Sequence, residues 1–145
     1  KEILYYLNKF NKKSIVKLYQ KNNYDFIQNL YPCKIIIDNY KNLNIQNKNN
    51  FSDSMRRLKP SLVILDQFST PLYEIIYSEC EIICFLNPLC NIKKIHYQSL
   101  KKRVHFVRNI EEFKIKMNEY NTGSLKLKYN SNYIDKILLK SSKIN

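Results

Sequence analysis

The chain lacks alanine and tryptophan and has a single glycine, Gly123, among its 145 residues. The glycine-rich dinucleotide-binding fingerprint and the P-loop each need several glycines, because the backbone must approach phosphate closely in both motifs. The sequence therefore excludes both of these phosphate-binding motifs. A phosphate site in this protein must use another arrangement of backbone and side-chain donors.

Cysteine is scarce and shows no metal-binding pattern. The four cysteines form no CxxC pair and have no histidine or cysteine at zinc-ligand spacing: Cys33, Cys80, Cys84 and Cys90. Cys80 and Cys84 lie in or beside apolar strand sequence, which is typical of reduced core residues. No apolar run reaches membrane-spanning length and no signal-peptide pattern is seen, so we expect a cytoplasmic protein, with the inner face of the membrane as its alternative location.

Positive charge exceeds negative charge by 13, with 25 Lys and Arg against 12 Asp and Glu. The lysines are spread along the chain among asparagines, so the pattern favours a solvated basic surface over a dedicated polyanion site. We expect no specific nucleic-acid partner. A basic surface still favours phosphorylated ligands and allows peripheral contact with an anionic membrane. An apolar fraction of 44% indicates a folded chain.

Short apolar runs alternate with helical patterns along the chain. Five runs predict strands, at residues 14–19, 34–37, 61–65, 81–85 and 104–107. Helical spacing or capping signals predict helices at residues 2–10, 24–31, 52–58, 70–76 and 110–120, and a basic amphipathic segment at 91–102. Ser52 is the predicted cap of the third helix, and Asn109, with Glu112 three residues later, is the predicted cap of the last. Residues 39–50 are rich in lysine and asparagine and predict a poorly ordered loop.

This alternation predicts an α/β, Rossmann-like three-layer domain with a mostly parallel sheet of about five strands over residues 1–122. Residues 123–145 carry a weak helical pattern and predict a C-terminal helical tail. The chain opens within a helical pattern that has no cap. We therefore expect it to be the C-terminal part of a longer polypeptide.

Residues 60–88 predict one strand-helix-strand unit with tight connections. The first strand ends at Asp66, and Thr70 with Pro71 lies where a helix takes its N-cap and first residue. A phosphate at this turn would meet helix N–H groups and the hydroxyls of Ser69 and Thr70. Glu74, one turn further, could accept hydrogen bonds from a ribose diol. The alternative is that Thr70 only caps the helix and Glu74 is a solvated acid.

Other polar residues are weaker candidates. Lys17 lies near the end of the first predicted strand and could contact phosphate. His96 and His105 are the only histidines. His105 lies in a strand-like run with no acid spaced to orient it, and His96 lies in a predicted loop near Lys93 and Lys94. A catalytic base is therefore left unassigned, and both histidines are more typical of structural or surface residues.

Four segments carry a resemblance to a known family, in the order SIVKLYQ, KIIIDN, LKPSLVILDQFSTPLYEIIYSECEIICFLNP and YQSLKKRVHFVRNIEEFKIKMNEY. Over residues 3–120 the chain resembles the C-terminal half of a family of transferases of surface-carbohydrate biosynthesis. More distantly it is similar to the CDP-glycerol glycerophosphotransferases and other GT-B glycosyltransferases.

The resemblance implies a function and roles for individual residues. Ser69 and Thr70 match the hydroxyl pair used on the donor phosphates, Glu74 matches the acid that binds the donor ribose, and Asn87 matches the polar turn after the following strand. The partners implied are a nucleotide-diphosphate donor and an N-terminal acceptor domain that this chain does not include. We expect the isolated chain to bind the donor without catalysis and without a metal, since no Asp-x-Asp pair is available to hold one.

Two interpretations from other classes stay open. A receiver-like signalling domain would explain the strand that ends in Asp66, with that residue as phosphoacceptor. A basic nucleic-acid-binding module would explain the charge, with tyrosines as stacking platforms.

Overall fold

The computed structural model describes residues 2–10, 12–17, 38–46, 50–90 and 92–126. The chain divides into two compact units, an N-terminal unit of Lys1–Ser54 and a C-terminal unit of Met55–Asn145. The predicted helix at 24–31, the predicted strand at 34–37 and most of the predicted tail at 123–145 lie outside the described residues, and those expectations stay predictions. In the part of the chain described, no helix is long and apolar enough to cross a membrane.

The N-terminal unit contains one helix and a two-stranded parallel sheet. Helix α1 spans Glu2–Lys9, as the helical spacing predicts, and strand β1 spans Ser14–Val16. β1 pairs in parallel with β2, Leu43–Ile45, so that Ser14 lies beside Leu43. Asn42 ties the helix to the sheet because its Nδ2 donates to the carbonyl oxygen of Asn8 at 3.0 Å.

Strand β2 corrects the expectation of an irregular loop at residues 39–50. Leu43 is buried, Asn44 is exposed and Ile45 is half-buried, which is the alternation of a short strand with one covered face. Three residues are too few to give a periodic signal in a segment otherwise made of lysine and asparagine. Pairing with β1, a tertiary contact, therefore decides the structure here.

Helix α2 spans Phe51–Leu58, close to the predicted range, but its cap differs. Asn50 caps this helix, because its Oδ1 accepts a hydrogen bond from the backbone N–H of Asp53 at 2.7 Å. The predicted cap, Ser52, lies within the first turn of the helix. Asparagine and serine are equally good caps, so the sequence alone could not decide between two candidates two residues apart.

The C-terminal unit contains a three-stranded parallel sheet whose strands follow chain order: β3 (Leu62–Leu65), β4 (Glu81–Phe85) and β5 (His105–Val107). Helix α3 (Thr70–Ile75) connects β3 to β4, helix α4 (Lys94–Leu100) connects β4 to β5, and helix α5 (Ile110–Asn121) follows β5. The α/β fold class with parallel strands is confirmed. The five described strands form two sheets, of two and three strands.

Helices pack on both faces of the three-stranded sheet. Cys84 and Phe106 lie side by side on one face, where the Phe106 ring stacks on Tyr97 of α4 with 5.3 Å between ring centroids. On the other face the ring of Phe85 packs 5.4 Å from that of Phe113 in α5. The core between these layers is made of fully buried side chains: Leu72, Ile75, Ile82, Ile83, Cys84, Val104, Val107 and Phe113. Burying each large aliphatic or aromatic side chain stabilises the fold by about 1.5–3 kcal/mol.

The predicted apolar face of α3 and the predicted cap of α5 are both observed. In α3 the apolar face is buried, with Leu72 and Ile75 inaccessible to solvent. Helix α5 begins with the predicted cap, since Asn109 Oδ1 accepts from the backbone N–H of Glu112 at 2.9 Å. The helix ends at Asn121, and Gly123 turns the chain away from it. The φ of Gly123, 75°, is a left-handed conformation that glycine adopts without strain.

Candidate functional site

Polar residues follow each strand of the three-stranded sheet at one edge. Because β3, β4 and β5 are parallel, their carboxyl ends meet at the same edge, where α/β proteins bind ligands. Asp66 follows β3, Asn87 comes two residues after β4, and Arg108 directly follows β5. The site described below, the sheet-edge site, consists of these residues together with the start of α3.

A cleft of about 470 Å³ lies next to the segments that follow the carboxyl ends of β4 and β5. Its apolar wall is formed by Leu86, Pro88, Cys90, Ile92 and the ring of Tyr97. Asn87 and Arg108 complete the lining, and Arg108 is its one charged residue. Small-molecule sites combine apolar walls with a few polar groups, and this open cleft has both kinds of lining.

Aromatic contacts join this cleft to the turn that begins α3. Tyr97 lines the cleft and is held by its stack on Phe106, with an interplanar angle of 25°. The ring of Phe68, in the turn after β3, lies 6.4 Å from the ring of Phe106 and 5.8 Å from that of Tyr73. Since Phe68 precedes Ser69 and Thr70, the two parts of the sheet-edge site lie on one continuous aromatic layer.

The start of α3 differs from the prediction by one residue. Ser69, not Thr70, is the N-cap: it has an extended backbone (φ −157°, ψ 179°), and its carbonyl oxygen accepts from Leu72 N at 2.9 Å. Thr70 is the first helical residue and Pro71 the second, a position in the first turn that proline also tolerates. The Ser69 side chain makes no capping bond.

The hydroxyl of Thr70 is available to a ligand. Thr70 is exposed, and its Oγ1 has no hydrogen-bond partner among the residues that the structure describes. Glu74 is also exposed, on the side of α3 opposite its buried face, as the helical spacing predicts. Because α3 has only six residues, its dipole adds little, and the side chains must supply most of the binding.

Asp66 and two cysteines lie near the carboxyl ends of β3 and β4. Asp66 is exposed at the end of β3, next to the strand position that pairs with Cys84. Burial, together with smaller contributions from the charges of Asp66 and Cys90, raises the pKa of the Cys84 thiol to about 12. Cys84 is therefore protonated at neutral pH and behaves as a core residue, as its sequence context predicts.

Asn87 and Lys17 have partners of their own. The Oδ1 of Asn87 accepts from the backbone N–H of Leu89 at 2.9 Å, which fixes the turn after β4. Lys17 belongs to the N-terminal unit, where its Nζ donates to the Gln46 carbonyl at 3.2 Å and to Ser54 Oγ at 3.0 Å. These bonds give Lys17 a structural role that requires no phosphate.

Sequence reasoning missed Arg108. This residue is exposed, and its guanidinium has no hydrogen bond or ion pair within the described ranges, although its backbone N–H donates to Glu112 Oε2 at 2.9 Å. The one signal for it was its position, directly after a predicted strand and before a helix cap. Arg103 differs, since its buried guanidinium donates to the carbonyl oxygens of Ile76 and Cys80 at 3.0 and 2.7 Å.

Neither histidine lines the cleft. The expectation that no acid orients His105 is wrong, because Oε2 of Glu81 lies 3.3 Å from its Nε2. His105 and Glu81 are the first residues of β5 and β4, so they occupy the amino edge of the sheet, opposite the sheet-edge site. His96 lies on α4 and is half-buried. Among the described residues no three His, Cys, Asp or Glu side chains are grouped so that they could hold a metal ion.

The sheet-edge site is thus defined by geometry alone. The chain matches no protein-family model, no curated protein and no solved structure.

Proposed function

We propose that this chain is the donor-nucleotide-binding part of a glycosyltransferase-like enzyme of surface polysaccharide biosynthesis, which transfers a sugar or a polyol phosphate from a nucleotide-activated donor. The observation that supports this proposal is the sheet-edge site, where polar side chains follow three neighbouring parallel strands beside a cleft. Ligands of open α/β sheets bind at this edge.

The dimensions of the edge suit an extended, charged ligand. Neighbouring strands lie about 4.8 Å apart, so the ends of β3 and β5 are separated by about 10 Å. A nucleoside diphosphate can extend over such a distance, with its phosphates near hydroxyl or cationic groups. The net charge of +13 favours the approach of a polyanionic ligand.

Three of the predicted residues, Ser69, Thr70 and Glu74, have a direct role in this proposal. The hydroxyls of Ser69 and Thr70 donate to the donor phosphates, and the exposed carboxylate of Glu74 accepts from the ribose diol. Charge that develops on the leaving diphosphate is offset by these donors and by nearby cations. The acceptor and the general base belong to a further domain, so this chain binds the donor and does not catalyse transfer.

The test is calorimetric titration of the chain with the four ribonucleoside diphosphates. We expect binding of at least one of them, weakened about tenfold by Thr70→Val and by Glu74→Ala, because hydrogen bonds to charged groups are worth about 1.5–3 kcal/mol. Glu79→Ala is the matched control, since Glu79 is also exposed but follows α3 at its far end. Unchanged affinity in both site variants would contradict the site assignment.

The alternatives predict other outcomes of the same study. Labelling of Asp66 by acetyl phosphate would favour the receiver-like interpretation. Salt-dependent binding of generic oligonucleotides that is insensitive to Thr70→Val would favour a nucleic-acid-binding module. Failure of all four nucleoside diphosphates to bind would contradict the donor-binding proposal.

A further inference from the structure

We infer that the cleft at the ends of β4 and β5 is a diphosphate subsite, in which the guanidinium of Arg108 binds the β-phosphate of the nucleotide. This inference rests on the proposed function and deepens it, because it adds a donor-binding side chain, that of Arg108, which the sequence did not indicate. It predicts that the protein distinguishes nucleoside diphosphates from monophosphates through one side chain.

The composition of the cleft selects for one anionic group. Leu86, Pro88 and Ile92 provide apolar wall, and Arg108 is the one charge in the lining. Because the Arg108 side chain is exposed, its charge can attract an anion from solution to the cleft. Arginine presents several N–H donors in a planar fork, which matches the oxygens of a phosphate group.

The guanidinium of Arg108 is available for a ligand. It makes no hydrogen bond or ion pair with any described residue. Arg103, which lies between α4 and β5, is by contrast buried and donates to backbone carbonyls. A phosphate therefore does not have to displace a protein partner from Arg108. On the protein side, the cost of binding at this residue is that of ordering one side chain and removing water from it.

The backbone of Arg108 is fixed although its side chain is exposed. Val107 immediately before it is fully buried in β5, and the backbone N–H of Arg108 donates to Glu112 in the first turn of α5. Asn109 then caps that helix. The Cα of Arg108 is thus held between a core strand and a capped helix, so its side chain starts from a constant position at the rim of the cleft.

Asn87 and Tyr97 shape the opposite side of the cleft. The Asn87 turn is closed by the bond from Leu89 N and by a second bond from Cys90 N to the Asn87 carbonyl at 2.8 Å. Tyr97 is stacked on Phe106. The phosphate next to Arg108 therefore enters a largely preformed space.

The experiment measures affinities of the full chain for CDP, UDP, CMP, UMP and inorganic pyrophosphate by calorimetry. Arg108→Gln is compared with Arg108→Lys and with the matched control Arg57→Gln, which removes an exposed arginine that precedes the amino end of β3. We expect Arg108→Gln to weaken binding of CDP, UDP and pyrophosphate about tenfold or more, and to change binding of CMP and UMP by less than about twofold. Arg108→Lys should recover part of the loss, because it keeps the charge but not the fork.

The outcomes separate this inference from the proposed function. If Thr70→Val weakens CDP or UDP binding and Arg108→Gln does not, the inference is wrong and the proposed function is retained. Equal losses for diphosphates and monophosphates would also overturn the inference, because Arg108 would then not read the second phosphate. If no nucleotide binds but pyrophosphate binds in an Arg108-dependent way, the diphosphate subsite is supported and the donor proposal is wrong.

Discussion

Nε2 of His105 lies 3.3 Å from Oε2 of Glu81, across the two neighbouring strands β5 and β4. The sheet register places His105 beside Ile83, two residues along from Glu81 on the same face, so the two side chains meet diagonally. Burial lowers the pKa of His105 and outweighs the opposing effect of the Glu81 hydrogen bond and charge. On α5, the charge of Lys116 lowers this pKa further, and the charge of Glu119 raises it.

The pair predicts acid sensitivity. Because the pKa of His105 is lowered on folding, the unfolded chain binds the proton more readily, and the free energy of unfolding falls as the pH drops below the ordinary value of 6.5. We expect His105→Gln to flatten this dependence in urea unfolding between about pH 5 and pH 8. Glu81→Gln should move the His105 midpoint, followed by NMR, further down. A wild-type midpoint above 6.5 would contradict the assignment.

Arg103 predicts a large stability effect away from the ligand edge. Its buried guanidinium donates to the carbonyl oxygens of Ile76, Ser78 and Cys80, and so anchors the connection between α3 and β4. Arg103→Met would leave these carbonyls without their donor, and we expect a loss of about 2–4 kcal/mol in the free energy of unfolding. Arg57→Met, at an exposed arginine, should change it by less than about 0.5 kcal/mol in the same urea titration. Similar losses in both variants would contradict the anchoring role.

The cysteines predict an ordered pattern of alkylation. Cys84 is inaccessible and its pKa is raised to about 12, whereas Cys90 is half-buried in the lining of the cleft. At about pH 8 iodoacetamide should modify Cys90 in the folded chain and Cys84 only after denaturation, as assigned by peptide mass spectrometry. A bound nucleoside diphosphate should slow modification of Cys90. Equal rates for both thiols in the folded chain would exclude this placement of Cys84.

The cap at Asn109 should stabilise the fold, and a second asparagine of the same helix, Asn121, provides a control variant. Asn109→Ala removes the acceptor for Glu112 N at the start of α5 and should lower the free energy of unfolding by about 1 kcal/mol. Asn121→Ala, at the exposed last residue of the same helix, removes no cap and should leave stability nearly unchanged. Thermal unfolding of both variants measures the difference. If Asn109→Ala did not lower the stability, other contacts would have to hold the start of this helix.

The sequence predicted most of the C-terminal unit because its signals are local and agree with one another. The run 61–65 is apolar and bounded by Pro60 and Asp66, and the cap at Asn109 has its acid three residues later. Such patterns need no knowledge of distant residues. The observed parallel pairing of β3 with β4 followed from the helix between them, since parallel strands need a crossover connection.

The sequence could not predict the features that depend on tertiary contacts. Strand β2 is defined by its partner β1, and neither Leu43 nor Ile45 is distinctive among lysines and asparagines. The cleft depends on the turn at Asn87 and on the stacking of Tyr97 upon Phe106, residues from three different segments. Arg108 becomes a candidate only when this cleft is seen beside it. A single cation after a strand is otherwise an ordinary surface residue.

The order of β3, β4 and β5 has a consequence for how the protein is made. Each of these strands pairs with the one synthesised just before it, and only one short helix separates the partners. Closing such short connections costs less chain entropy than pairing strands that lie far apart in the chain. The sheet can therefore grow strand by strand as the chain leaves the ribosome, and the ligand edge is completed only when Arg108 emerges behind β5.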